Sequence, residues 1–265
     1  MGGHDKVDLV TVDGIHLGGR WWKASETTAR TGPSRTAAVL VHGFSGGQND
    51  AAIVALARDL QGAGVDVLTY DARGHGRSEG VCGLGSTEHA DVAAAVAAAS
   101  CAQSVVLVGV SMGAIAVMTY LTRPVQDAAG AQVSGAVLVS APARWRMRPS
   151  PVGLATLLVT RTRLGRYVAA RHLGVRVAEG WIVGESLESR VKRTRVPVAV
   201  VHGLADRLLA PSHGQWLEAA STSSAAPFRL ELVKGMGHGP DAAGRPAIIE
   251  ALQWVLTAPT TTPGR

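Results

Sequence analysis

Six short apolar runs punctuate the chain, at residues 37–41, 65–70, 105–109, 136–140, 196–202 and 228–233. The first five are dominated by valine, alanine or leucine, the pattern of strands buried on both faces, and 228–233 is the last predicted strand. Helical spacing fills the intervals. Residues 49–61 place Ile53, Leu56 and Leu60 on one face and stop at Gly62-Ala63-Gly64. Residues 86–99 begin at Ser86 or Thr87 as a cap, with Glu88 and Asp91 near the positive end of the helix dipole. Further helices are predicted over 114–122, 212–220 and 247–256. Strands alternating with helices in this way predict βαβ units, right-handed crossovers and helices on both faces of a mainly parallel sheet. The opening differs. Residues 7–12 alternate, Asp13-Gly14 suits a tight hairpin turn, residues 15–22 return, and 24–35 is a loop rich in Ser, Thr, Gly and Pro. The expected fold is α/β, a doubly wound sheet of roughly eight strands with an antiparallel N-terminal edge.

The rhythm breaks at 142–195, longer than a crossover requires. Residues 152–159 and 167–173 there are apolar and suit short helices, so this stretch is expected to be a small helical lid over the strand ends. The core would then comprise 1–141 and 196–257, with 258–265 a polar, frayed tail. Eleven arginines and Lys192 face only Glu179, Glu185 and Glu188 in the insertion, a net +9 in a chain whose total is +6. Two readings follow: a solvated basic surface, or a rim that draws anionic small molecules toward the strand ends. No nucleic-acid-binding motif accompanies the charge.

Composition narrows the class. A chain of 265 residues accommodates one α/β domain, and with aromatics at 4% its core is built from small aliphatics. The first eight residues contain no apolar stretch of the secretory kind, and Lys6 stands where myristoylation needs Ser or Thr. No apolar run approaches the ~18 residues of a membrane span. Cys82 and Cys101 make no disulfide framework; the expectation is reduced thiols in a cytoplasmic protein, with a single bridge between the two left open.

Within this frame Gly109-Val110-Ser111-Met112-Gly113 joins a predicted strand to a predicted helix. A serine on so sharp a turn is held at strained backbone angles with its hydroxyl pushed outward, and the flanking glycines relieve the crowding. An ordinary turn with a serine N-cap is the plainer alternative. His42-Gly43-Phe44-Ser45-Gly46-Gly47 also follows a strand, and the backbone N–H groups of Phe44 and Met112 are candidate oxyanion donors. His42 is taken as a structural histidine of that loop. The G-x-G of 71–80 lacks a third glycine and a following apolar helix, so it is not a nucleotide site; Asp71 and Arg73 there are expected to brace the sheet edge, and His75 is a poor candidate base. His89 has no second ligand at metal-like spacing and is expected at the surface. Asp206 and His238 each stand just past a predicted strand, so Ser111, Asp206 and His238 meet at one edge of a parallel sheet in the order nucleophile, acid, base. Asp241 competes as the acid but lies only three residues from His238.

These residues carry a resemblance. His42-Gly43-Phe44, the segment 71–78, Gly109–Gly113, Gly203-Leu204-Ala205-Asp206 and Gly237-His238 together resemble the α/β-hydrolase family, closest to its monoacylglycerol-lipase-like and serine-aminopeptidase-like branch. The resemblance implies a Ser111-Asp206-His238 triad, oxyanion donors at Phe44 and Met112, an acyl-enzyme, and neither metal nor cofactor. The expected function is a serine hydrolase acting on a small-molecule carboxylic ester, anionic if the basic rim selects for charge. A thioesterase or acyltransferase of a biosynthetic pathway is the runner-up, and a non-catalytic ligand-binding member of the fold stands third. The acyl-binding residues and the oligomeric state are not legible.

Overall fold

The computed structural model describes residues 4–25, 36–123 and 133–259. Eight strands form one sheet: β1 (His4–Val10), β2 (His16–Trp22), β3 (Thr36–Val41), β4 (Asp66–Tyr70), β5 (Ser104–Val110), β6 (Val133–Val139), β7 (Val198–Gly203) and β8 (Phe228–Val233). Their order is β1-β2-β4-β3-β5-β6-β7-β8. Only β1 with β2 and β2 with β4 pair antiparallel; every other pair is parallel. The expected doubly wound sheet with an antiparallel edge is therefore the observed one. The loop predicted over 24–35 and the tail over 258–265 fall mostly outside the described residues.

The sheet sorts its side chains by alternation. On β5, Val105 and Leu107 point into the cluster that holds Val92 of α2 (His89–Ala98) and Ala114, Val117 and Met118 of α3 (Met112–Thr122). Val106, Val108 and Val110 point the other way, toward Leu56 of α1 (Ala51–Gly62) and Leu252 of α8 (Arg245–Thr257). Because both faces are covered, nothing polar is tolerated on either, which is why the strand reads as an unbroken apolar run. Gly113 lets α3 lie against β3: a Cβ there would stand 2.3 Å from the Val41 carbonyl oxygen. The remaining core helix, α7 (Ser212–Ser221), buries Leu217 in the first cluster.

Between β6 and β7 stand α4 (Pro151–Arg161), α5 (Arg163–Val168), a π-helical turn at Ala169–Leu173, and α6 (Leu187–Val191). The apolar stretches expected to be helical are so, and α6 is an addition. A satellite cluster of Cys82, Leu84, Met112, Ala169, Val175, Val177 and Trp181 fastens this segment to the core.

The Asp13-Gly14 turn is the tight hairpin expected: the Thr11 N–H donates to the Ile15 carbonyl at 3.0 Å, the Gly14 N–H donates to the Thr11 carbonyl at 2.9 Å, and Gly14 takes φ 77°. Two other local expectations need correction. Neither Ser86 nor Thr87 caps α2; the helix starts at His89, and the Glu88 carboxylate turns back to accept N–H bonds from Gly83, Gly85 and Thr87. His89 is half-buried, with Nδ1 3.0 Å from the Ser86 carbonyl oxygen. The open question of a bridge closes: Cys82 is buried, Cys101 is exposed, and both are free. Among the described residues no helix is long and apolar enough to cross a membrane.

Candidate active site

Ser111 sits between β5 and α3 at φ 51° and ψ −110°. A non-glycine residue holds such angles only when its surroundings dictate them. Here the Ser111 N–H donates to the Val139 carbonyl at 2.8 Å, tying the turn to β6. Gly109 and Gly113 clear the space beneath it, since a Cβ on Gly109 would lie 2.8 Å from the Ala114 backbone. On the other side Gly43 packs so closely that a Cβ would stand 3.2 Å from that of Ser111.

The ends of β7 and β8 bring the other two residues to this point. His238 Nε2 lies 3.0 Å from Ser111 Oγ, and His238 Nδ1 lies 2.8 Å from Asp206 Oδ2. The second Asp206 oxygen accepts the N–H groups of Leu208 and Leu209 at 2.8 and 2.9 Å. Asp206 is fully buried, and burial alone would raise its pKa. The hydrogen bond from His238, the charge of that ring and the two N–H donors outweigh burial and hold the carboxyl below its ordinary value. The carboxylate therefore stays ionised and favours the Nδ1–H tautomer of His238, leaving Nε2 as the acceptor that faces Ser111. Asp241 acts on the backbone instead, accepting N–H bonds from Gly237, Ala243 and Gly244 and so shaping the histidine loop.

The other singled-out histidines serve structure. His42 Nδ1 donates to the Gly43 carbonyl at 2.8 Å and its Nε2 accepts the Ala72 N–H at 2.9 Å, so both nitrogens are engaged. Burial pushes it below the ordinary imidazole value. His75 packs edge-on against His42 at 4.9 Å, and burial with that neighbour lowers it to about 3. Arg73 braces the edge as expected, joining buried Asp91 to Asp13. Asp71 does so through the N–H and side-chain amide of Gln48.

Four residues at the site carried no signal in the sequence. Ser140 adopts φ 49° after β6, and its hydroxyl accepts the Gly239 N–H at 3.1 Å, steadying the residue after His238. Arg148 donates to the Asp206 carbonyl at 3.1 Å, so an insertion residue holds the acid loop. Trp145 and Trp181 stack at 5.0 Å, and Trp181 Nε1 donates to the Thr160 carbonyl at the end of α4. A local pattern would mark none of these, because every partner is remote in sequence or is backbone.

Ser111 and His238 open into a cavity of about 410 Å3, walled by Leu84, Ile115, Trp145, Val152, Leu157 and Leu209. Phe44 and Met112 line the same cavity. Among the described residues their backbone N–H groups make no hydrogen bond. The three arginines nearest the strand end differ in their duties. Arg144 grips Glu188 with Nε and Nη2 and covers the Trp216 ring at 4.7 Å, and Arg148 holds the acid loop. Arg146 lines the cavity, exposed and without an ion pair among the described residues.

A family model described as serine aminopeptidase, S33 matches residues 32–178. The chain belongs to this family. The matched S33 segment runs from before β3 through the Ser111 turn into the insertion, and the fold around it is that of an α/β hydrolase. Solved structures agree on the fold. Esterase Pf2001 of Pyrococcus furiosus superposes with a TM-score of 0.70 at 17% identity, over 95% of this chain and 92% of that one. Esterase RhEst1 of Rhodococcus sp. ECU1013 gives 0.65 at 21%, over 96% and 99%. The α/β hydrolase GrgF of Penicillium sp. sh18 gives 0.66 at 18%, over 96% and 98%. No curated protein sequence matches the chain significantly.

Proposed function

We propose that this S33-family hydrolase cleaves carboxylic esters through an acyl-enzyme formed on Ser111. One observation carries the reading: the hydrogen-bonded line Ser111–His238–Asp206 ends in a largely apolar cavity beside two unengaged N–H donors. His238 Nε2 removes the Ser111 proton as Oγ attacks the carbonyl carbon. The negative oxygen that forms meets the Phe44 and Met112 N–H groups, and Met112 adds the positive end of α3. Asp206 stabilises the resulting imidazolium without taking its proton. His238 then protonates the leaving alcohol, and water repeats the sequence to free the acid.

The cavity's walls bear on the substrate. Asp50 is the one carboxylate among its described lining residues, and Asp50 already accepts the Gly47 N–H at 3.0 Å. No acidic cluster awaits the ammonium group of a peptide's first residue. Apolar walls with Arg144 and Arg146 at the rim favour a neutral or anionic ester with a small or medium acyl group. In this reading 142–195 acts as the lid, with Val152, Thr156 and Leu157 of α4 forming the acyl wall.

A panel of p-nitrophenyl esters, thioesters and anilides tests the proposal. Short and medium esters should be the best substrates, and Ser111→Ala should keep its circular dichroism while losing about 10^4-fold or more in kcat. Near-wild-type turnover by Ser111→Ala, or anilides outpacing esters, would overturn it.

A further inference from the structure

A second cavity, of about 190 Å3, lies behind the wall formed by Leu84, Ile115 and Trp145. Its polar lining is unlike that of the first. Thr119 and Arg123 approach from α3 and the residue just past its end, and Ser186 and Arg190 from the N-cap and body of α6. Arg190 is the central group, with a side chain only 12% exposed. Its Nη1 donates to Thr122 Oγ1 at 2.8 Å and lies 3.7 Å from Glu185. Its Nε is buried with no acceptor, and no acceptor meets Nη2 among the described residues. Nε is sealed from the cavity, so Nη2 is the Arg190 nitrogen left to meet a carboxylate or phosphate oxygen there.

The surroundings leave that nitrogen a net positive field. Glu185, the nearest carboxylate, is gripped by both Nη atoms of Arg193 and accepts the Ser189 hydroxyl as well. Burial pulls the Arg190 pKa below its ordinary value; Glu185 opposes this, and Arg193 and Arg123 add to it. Like charges around an unsatisfied buried donor are costly unless an anion joins them. We propose that this cavity binds a small carboxylate or phosphate monoester, held by Nη2 of Arg190 and by Arg123. The wall shared with the first cavity places the bound anion beside the ester pocket, either as the acid end of a substrate or as a separate small molecule.

Calorimetric titration of succinate and of inorganic phosphate into the full chain, at constant ionic strength, tests the site without requiring turnover. At least one anion should bind saturably at one site. Arg190→Gln should weaken binding by about tenfold or more, and Arg190→Lys should recover part of it because a positive charge remains. Arg123 is exposed, so Arg123→Gln should fold normally and still weaken binding severalfold; it carries the test if Arg190 variants fail to fold. Arg163→Gln, whose side chain is 92% exposed and remote from the cavity lining, should bind as wild type. Absence of saturable binding for both anions, or equal weakening by Arg163→Gln, would overturn the proposal. Inhibition of p-nitrophenyl butyrate cleavage then separates the sources, competitive for a substrate's acid end and non-competitive for a separate anion. Both patterns support the site, and failure of the esterase reading would appear as absent turnover while leaving the titration intact.

Discussion

The central strands and the β6–β7 insertion obey different rules for where apolar side chains go. On β5 every residue from Val105 to Val108 is fully buried, and on β7 every residue from Val198 to Gly203 is buried. On α4 only Gly153 and Thr160 are buried, while Val152, Leu154, Leu157 and Leu158 are exposed. The strands are held by dense packing that accepts no added atom. The insertion is held by a few long-range ties: the Trp145–Trp181 stack, Arg148 on the acid loop, and Arg176 on the carbonyls of Ser78 and Gly80. The contrast suits a division of labour in which a rigid sheet edge sets the catalytic distances and an adaptable segment shapes the pocket.

Substitutions on the two sides of that divide should behave differently. The largest expected effects fall on the sheet edge. His238→Ala and Asp206→Asn should each lower kcat by about 10^3–10^4-fold, and combining them should cost little more, since the residues act as one unit. Asp241→Asn should cost far less, because Asp241 shapes a loop; steady-state kinetics on one ester decide between the two acids. Next, Gly113→Ala forces a Cβ against the Val41 carbonyl and should destabilise the fold by about 3 kcal/mol, read as a lowered denaturant midpoint. Smaller still, Leu154→Ser and Leu164→Ser on the insertion surface should shift stability by no more than about 0.5 kcal/mol. A loss as large as that of Gly113→Ala would mean the insertion is packed as tightly as the sheet.

The acid also predicts a pH effect. Asp206 has a folded-state pKa below its ordinary value, so its contribution to stability is present above that ordinary value and disappears as pH falls through the folded one. Wild type should therefore lose Tm relative to Asp206→Asn on going from pH 7 to pH 3. A gap constant across that range would mean that folding does not lower the Asp206 pKa.

The same contrast explains what was legible in the sequence. Strands buried on both faces announce themselves as apolar runs, so β3 to β7 and the positions of Ser111, Asp206 and His238 just past their strands were readable from hydrophobicity and glycine placement, whereas β8 at the sheet edge is half-buried throughout. The start of α2 was not, because Glu88 spends its carboxylate on N–H groups that precede the helix. Ser140 was invisible because nothing local marks a serine for positive φ. In the insertion, the apolar stretches pointed to α4 and to the end of α5 with its π-helical turn but not to α6 or to their surroundings, since those residues line a cavity or face solvent. Arginine content likewise counted charge without revealing that Arg144 and Arg148 are committed to Glu188 and to the Asp206 loop while Arg190 keeps a buried Nε without an acceptor.

The proposed chemistry stands or falls with Ser111 as the nucleophile, activated by His238. Treating the native chain with a fluorophosphonate and mapping the adduct by peptide mass spectrometry puts that assignment to trial. One adduct per chain is expected, on the peptide containing Ser111, and it should be lost in His238→Ala although the serine remains. Labelling at another residue, or undiminished labelling of Ser111 without His238, would contradict the assignment.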